Sequence, residues 1–507
     1  MKKYLSILTV SAALLFVSSC NLDKYPYDDL EQGQALKSIE DARNFEIGAY
    51  ARFKAVFRMD NIIAGDLQAD YANAVSGFTN TYGPLHRWSL TQADYQTTDT
   101  WDYAYLAIAQ FNFIIDNVPG LALNDAQEQA EADMIVGEAY LMRAITAHML
   151  ALKFCDSYTN GNVAAEHSGL PKVDKYDPTD MPERSSLEST YAQILSDIGE
   201  AKSRLAGLTG AAGSTYLTED CVTALEARVL LHMGNYPEAL RVANTLIGSS
   251  KYSLAKTQEA FTDMWTYDQG PEVIFVFAAS KTNLPSQFGY YFIADRNSTD
   301  DDFLPDYIPT QATVDMYDDA DFRKEAYFLK TGGDDCEIGG TFISTPVYLL
   351  NKYPGNPDLK TATVKKNYYN AFKLFRLSEM YLIAAEAAVQ SGGDAKTPLN
   401  ALRQARGLEG LGSVTLADVK AERFREMIFE GNRISDLRRW GDPCVRGAVQ
   451  TGKNAAGEDF GLVSLGDEFD KLNVQAGDFR MVWPIPETAI YANQKLKDQQ
   501  NPGWNRF

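Results

Sequence analysis

The sequence predicts a mainly α-helical scaffold of paired helices, with long inserted loops and a few short strands. Three observations lead there. In GEAYLMRAITAHMLALKF (137–154), Leu141, Ile145, Met149 and Leu152 recur at helical spacing on one face. In FKLFRLSEMYLIAAEAAVQSG (372–392), Leu374, Leu377, Tyr381, Ala384 and Ala388 do the same, and the small alanines let a neighbouring helix approach closely. The third is a hairpin, ALEARVLLHMGNYPEALRVANTLI (224–247): Gly234 suits a helix end that needs positive φ, and Pro237 suits the first turn of the next helix.

At the amino end, Lys2 and Lys3 precede a short apolar run, Leu5 to Val17, too short to span a bilayer as a mature helix. Val17-Ser18-Ser19-Cys20 follows, and small residues before a cysteine at this place resemble a bacterial lipobox. Residues 1–19 are therefore expected to be a cleaved lipoprotein signal peptide. Cys20 is the expected lipidation site, and the polar, acidic stretch 20–31 is a tether; several acyl chains anchor stably where one would not. Residues 32–247 form an N-terminal helical part. Its Gly234, Tyr236, Ala239 and Leu240 resemble the centre of a tetratricopeptide repeat, with a looser copy at 385–406 and no strict tandem period. Residues 248–370 are rich in Gly, Pro, Asp and Tyr. There EVIFVFAA (272–279) reads as a buried strand and the rest as long, ligand-facing loops. Residues 371–507 form a C-terminal helical part, and 20–507 is read as one compact unit.

Composition excludes some functions. The chain has 507 residues, 45% hydrophobic and 23% charged, which is a globular mixture. A net charge of −21 argues against nucleic acid, which needs a basic face, and tilts any ligand toward a neutral one. HExxH, GxSxG, P-loop and GxGxxG motifs are missing. Of the four histidines, His148 and His232 fall in apolar helices and read as core; His86 and His167 are the others. Cys155, Cys221, Cys336 and Cys444 are scattered without a CxxC and read as solitary thiols, their disulfide state left open. Asp300-Asp301-Asp302 reads as a solvated acidic loop, because the spaced EF-hand ligands for Ca²⁺ are missing. No cofactor is expected, and Ca²⁺ binding is left open without support from the spacing.

The stretch ERFREMIFEGNRISDLRRWG (422–441) places Glu422, Glu426 and Glu430 four residues apart. Carboxylates at that spacing lie about 5–6 Å apart at Cβ, which does not by itself exclude glycosidase chemistry. A catalytic acid needs a raised pKa, however, and neighbouring arginines push it down. Glu422, Arg423, Glu426, Glu430, Arg433, Asp436 and Arg438 therefore read as a structural ion-pair network between packed helices.

The same stretch resembles a hallmark segment of the SusD/RagB family of outer-membrane nutrient-binding lipoproteins from Bacteroidota. FRLSEMYLIAAEA (375–387), LNALRQARGL (399–408), TWDYAYLAIAQFN (100–112) and WPIPETAIYANQKLKDQQNPGW (483–504) resemble further family elements in the family's order, with Thr488 and Ala489 replacing the more usual acidic residue before Ile490. The resemblance implies a SusD-like, tetratricopeptide-like body with no covalent chemistry. It implies a lipid anchor at the exterior face of the outer membrane and a SusC-like TonB-dependent transporter as partner. It also implies an oligosaccharide ligand, with peptide, as in RagB-type proteins, as the alternative. A surface glycosidase using Glu426 and Glu430, or a scaffold with no small ligand, are the competing readings.

Sugars are held by aromatic faces and oriented by polar side chains. Aromatics in polar loops, off the helical stripes, are thus the candidates. One group is Tyr71, Asn73, Phe78, Tyr82, Arg87 and Trp88; the other is Trp265, Tyr267, Tyr290, Tyr291 and Arg296. Trp101 and Tyr105 lie on a helical stripe and read as core.

Overall fold

A computed structural model describes residues 35–294, 302–333, 335–361 and 367–504. The expected signal peptide, Cys20, the tether, Arg296, Asp300 and Asp301 lie outside the described residues. The chain starts with α1 (Ile39–Val56) and α2 (Met59–Gln68), followed by the long α3 (Tyr95–Asn117) and α4 (Ala126–Phe154). Next come α5 (Leu187–Arg204), α6 (Glu219–His232) and α7 (Tyr236–Ile247). The carboxy-terminal part supplies α8 (Leu377–Ser391), α9 (Lys396–Ala405), α10 (Leu416–Glu426) and α11 (Arg433–Trp440).

The helix starts are written locally. Ser38 and Asp41 form a reciprocal capping box on α1, and Thr415 with Asp418 does the same on α10. Asp125 accepts from the amides of Gln127 and Glu128, 2.8 and 2.9 Å away, to start α4. The hairpin α6–α7 turns through Gly234 at φ 73°, as its sequence predicts. α4 packs between α3 and α5, and α8 packs on α7 and α6. Ala384, Ala385, Ala387 and Ala388 are fully buried, which is how α8 comes so close to its neighbours. α4 is long and apolar enough to cross a membrane by composition, yet most of it is buried inside the fold: it is the central core helix.

Among the described residues, the strands pair in twos. β1 (Ala72–Ala74) pairs antiparallel with β3 (Tyr307–Pro309), tying the 66–96 segment to the 248–370 region. β2 (Val273–Val276), buried along its whole length, pairs antiparallel with β4 (Lys373–Arg376). This corrects one detail of the sequence reading. Leu374 lies in β4, and α8 begins only at Leu377, because Lys373–Arg376 runs as a strand buried at all four positions before the helical period starts. Phe53, Phe57, Phe275 and Phe277 interlock beneath this ladder, with ring centroids 5.2–6.3 Å apart. Cys155, Cys221, Cys336 and Cys444 are all free and buried.

The carboxy terminus closes the fold with a clip. Asn501 donates to the carbonyls of Phe154 and Trp483 at 2.8 and 2.7 Å, the first of these at the end of α4. Arg184 donates to Gln499 O and Asn501 Oδ1, both at 2.8 Å. Gln500 exchanges two hydrogen bonds with the backbone of Ile485.

Candidate functional site

The acidic and basic residues of 422–441 form a buried cluster. Glu426 is wholly buried and accepts from Arg376 at 2.8 Å, from Arg406 at 2.8 and 2.9 Å and from Arg323 at 3.1 Å. Glu430 takes Arg376 at 2.5 Å and Lys352 at 2.6 Å, and Glu422 takes Arg323 at 2.7 Å. Burial pushes these carboxyls up, but the surrounding cations outweigh it: Glu426 sits well below the usual carboxylate range, and Glu422 and Glu430 are also lowered. None of the three is poised to act as a general acid. Asp436 joins Arg423 at 2.5 Å and Arg439 at 3.0 Å, and Arg433 joins Asp70 at 2.7 Å.

Two details differ from the sequence reading. Glu430 lies beyond the end of α10, in a turn where Phe429 and Gly431 have positive φ, so the three glutamates do not share one helix. The network's main partners also come from far along the chain: Arg323, Lys352, Arg376 and Arg406. Arg438 is the second departure. It pairs with no carboxylate among the described residues and instead donates to the carbonyls of Met481 and Leu152, 3.0 and 2.7 Å away.

The aromatic candidates divide by burial. Tyr71, Tyr82, Trp88 and Trp265 are each no more than 2% exposed, and Asn73 is 1% exposed. This corrects their selection as open ligand-binding side chains, since each is absorbed by local packing. Tyr71 packs on Phe424 and Phe429, with centroids 4.7 and 5.5 Å away. Trp88 donates its indole N–H to Gln68 O at 2.7 Å. Trp265 lies under the ammonium groups of Lys352 and Lys373, 4.2 and 4.7 Å from its ring. Asn73 sits in β1 with its amide unpartnered among the described residues. Loop polarity hid this burial, because the 66–96 segment folds back through β1 and carries Tyr71, Tyr82 and Trp88 inward. Trp101 is buried, and Tyr105 packs on it with centroids 4.7 Å apart.

Tyr82, Tyr290 and Tyr291 do come together. Tyr82 supports the group from below: its hydroxyl donates to Asp60, and its ring meets Tyr291 edge-on at 5.4 Å. Tyr291 meets Tyr290 at 5.2 Å and 89°, and Tyr290 meets Tyr368 at 5.9 Å and 84°. Tyr290 is 46% exposed, so it offers a ring face to solvent. Tyr95, which the sequence reading passed over, is 49% exposed and lies beside this group. Its position as the first residue of α3, off the buried stripe, is the signal that could have found it. Burial raises the Tyr291 hydroxyl, and Asp60 raises it further. The Tyr291 phenol therefore stays protonated as a donor. Thr79 donates to Asp306 through its amide at 2.8 Å and its hydroxyl at 2.5 Å, fixing the loop rim.

Phe78 and Arg87 form a neighbouring pair. Both approach Phe469, Phe78 edge-on at 6.2 Å and the Arg87 guanidinium at 5.8 Å, while Arg87 also donates to Asn80 at 2.6 Å. Tyr267, 45% exposed, stands apart beside a separate pocket of about 350 Å³ shared with Asp268, Gln269 and Asn356. The histidines have structural surroundings. His86 bridges Leu67 O and the Ala74 amide, while His148 and His232 are buried with ring centroids 5.3 Å apart. Among the described residues, no group of three or more His, Cys, Asp or Glu converges as a metal site would need.

Comparison with known proteins fits this architecture. The SusD family model matches residues 310–504, and a second model, described as "Starch-binding associating with outer membrane", matches 22–231. The chain belongs to the SusD/RagB family. A SusD-like protein from Formosa agariphila is 24% identical over 87% of this chain and 92% of its own. The starch-binding protein SusD of Bacteroides thetaiotaomicron is 45% identical over a 69-residue stretch, 13% of this chain and 12% of its own. A SusD superfamily structure from Bacteroides thetaiotaomicron superposes with a TM-score of 0.75 at 23% identity, covering 92% of this chain and 100% of that one. A SusD-like carbohydrate binding protein from Bacteroides vulgatus gives 0.73 at 19% identity, covering 92% and 98%. The SusD/RagB body is thus a helical, tetratricopeptide-like one, in a family described as starch-binding and associated with the outer membrane.

Proposed function

We propose that this SusD/RagB protein captures a neutral oligosaccharide at the outer face of the outer membrane and passes it to a SusC-like TonB-dependent transporter. Cys20 carries the lipid anchor in this reading, and the protein catalyses no reaction. The observation that carries the ligand assignment is the tyrosine group. Tyr290 and Tyr95 present exposed rings, held by Tyr291, Tyr82 and Tyr368 and flanked by hydroxyls and carboxylates. Such rings stack on the C–H faces of sugars, and the flanking polar groups orient hydroxyls. The glycosidase reading loses its acid, since Glu426 and Glu430 are held ionised within the arginine cluster.

A glycan array probed with the full chain in detergent tests the proposal. Binding of at least one neutral glycan is expected, weakened in a Tyr290→Ala, Tyr291→Ala variant. Binding confined to peptides, or hydrolysis of a glycan by the wild-type chain, would refute it. Transporter contact is tested by co-purification from the native membrane with and without Cys20.

A further inference from the structure

A cavity of about 750 Å³ lies away from the tyrosine group, between the 156–168 loop, the turn at Asp478–Phe479 and the carboxy-terminal clip. Its size falls within the roughly 300–1,000 Å³ typical of small-ligand sites. The two places share no residue. Beside the cavity, Arg480 pairs with Asp478 at 2.7 Å and lies 5.9 Å from the ring of the buried Trp88.

One wall is a held aromatic platform. Phe479 is 42% exposed, yet it is not loose. Trp504 meets it edge-on at 5.1 Å, and Gly503, at φ 87°, allows the chain to pass so close that an added Cβ would fall 2.3 Å from its ring. Only glycine suits that position on both counts. The Asp478 side chain caps the turn by accepting from the Arg480 amide at 2.9 Å.

The opposite walls are polar. Glu166, Asn162 and Asp498 are exposed on the rim. His167 places Nδ1 3.1 Å from the Arg184 carbonyl, so Nδ1–H donates there. Arg438, a wall residue only 6% exposed, has an Nε–H with no partner among the described residues. The four carboxylates of the lining, Asp156, Glu166, Asp478 and Asp498, outnumber its one guanidinium. An anionic sugar is disfavoured there, whereas hydroxyls and amines find acceptors.

We infer that this cavity is a second saccharide site, taking a neutral or amino-bearing sugar ring against Phe479, with Asp498, Glu166 and Asn162 as hydrogen-bond partners. Its ligand class rests on the glycan reading above, but its residues do not. A chain with two separate sugar contacts holds a long glycan by avidity, each contact weak and the pair strong.

The test uses the full chain in detergent, with D-glucose, D-glucosamine and D-glucuronate as probes. Saturation-transfer NMR and the fluorescence of Trp504, which packs on Phe479, report binding. In the Tyr290→Ala, Tyr291→Ala background, saturable binding of glucose or glucosamine is expected to persist and glucuronate to bind more weakly. Phe479→Ala or Asp498→Asn added to that background should weaken it by about fivefold or more, the loss of one aromatic or charged contact. Asp498 is exposed, so its substitution keeps the test valid if Phe479→Ala fails to fold. The inference is overturned if the tyrosine variant binds none of the three sugars, or if Phe479→Ala and Asp498→Asn both bind like their parent. Wild-type binding lost in the tyrosine variant would then leave the first site standing alone. Binding indifferent to the tyrosines but lost with Phe479 would instead sink the tyrosine reading and leave this one.

Discussion

Replacing Glu426 by Gln removes one charge and almost no volume. The carboxylate it replaces receives hydrogen bonds from Arg323, Arg376 and Arg406, none of which is more than 1% exposed. Removing one partner from a buried ion cluster costs about 3–5 kcal/mol, because the cations left behind stay desolvated. A chain of 507 residues unfolds with an entropy of about 1 kcal/mol/K. The melting temperature should therefore fall by about 3–5 °C at pH 7. Differential scanning calorimetry measures it, with Lys202→Ala as control, since its partly exposed pair with Glu226 is worth about 1 kcal/mol or less.

The pH dependence has a definite sign. Glu426, Glu430 and Glu422 are depressed below their usual 4.5, so their stabilisation is complete above that value and lost as pH falls through the folded-state values. The gap between wild type and Glu426→Gln should hold steady from pH 7 to 5 and narrow below about pH 4.5. A melting temperature unchanged at pH 7, or a gap that widens in acid, would refute the account of the cluster. A wild-type glycan hydrolysis abolished by Glu426→Gln without loss of stability would give the carboxylate a catalytic role.

Further outcomes follow from the same geometry. Tyr290→Ala should weaken glycan binding by about tenfold through loss of a stacked ring, with the melting temperature little changed; titration calorimetry checks both parts. Trp88→Ala should behave in the opposite way, costing about 3–5 kcal/mol of stability in chemical denaturation and acting on affinity only through lost folding. Cys155, Cys221, Cys336 and Cys444 are buried, and burial pushes the Cys221 and Cys336 thiols up to about 12. They should resist iodoacetamide at pH 8 and react once the chain is unfolded, which mass spectrometry reads directly.

Legibility in the sequence followed the range of the interactions. The α6–α7 hairpin was readable because Gly234 and Pro237 act within a few residues of where they stand. The strand at Val273–Val276 was readable because a short run buried on both faces shows itself as unbroken apolar character. Leu374 was misplaced because strand and helix run on without a breaker, and only the partner strand decides where one ends. Glu422, Glu426 and Glu430 showed their structural character through nearby arginines, yet most of their actual partners lie 20 to 103 residues away, where spacing says nothing. The aromatic candidates failed for a related reason. Trp88 and Trp265 sit in polar sequence, and polarity along the chain does not reveal which side chain turns inward. Tyr290 differs from them only in three dimensions, as a member of a tyrosine group that, with Tyr95, remains open.

The clip made by Gln499, Gln500 and Asn501 makes distant parts of the sequence depend on one another. The carbonyl that ends α4 and the guanidinium of Arg184 take partners more than 300 residues further along. Arg184 also donates to Gly169 O at 2.7 Å, so one guanidinium fastens the loop after α4 to the far end of the chain. The same three clip residues line the Phe479 cavity. Loosening the clip is therefore felt at three places together: the end of α4, the loop that follows it and the wall of that cavity.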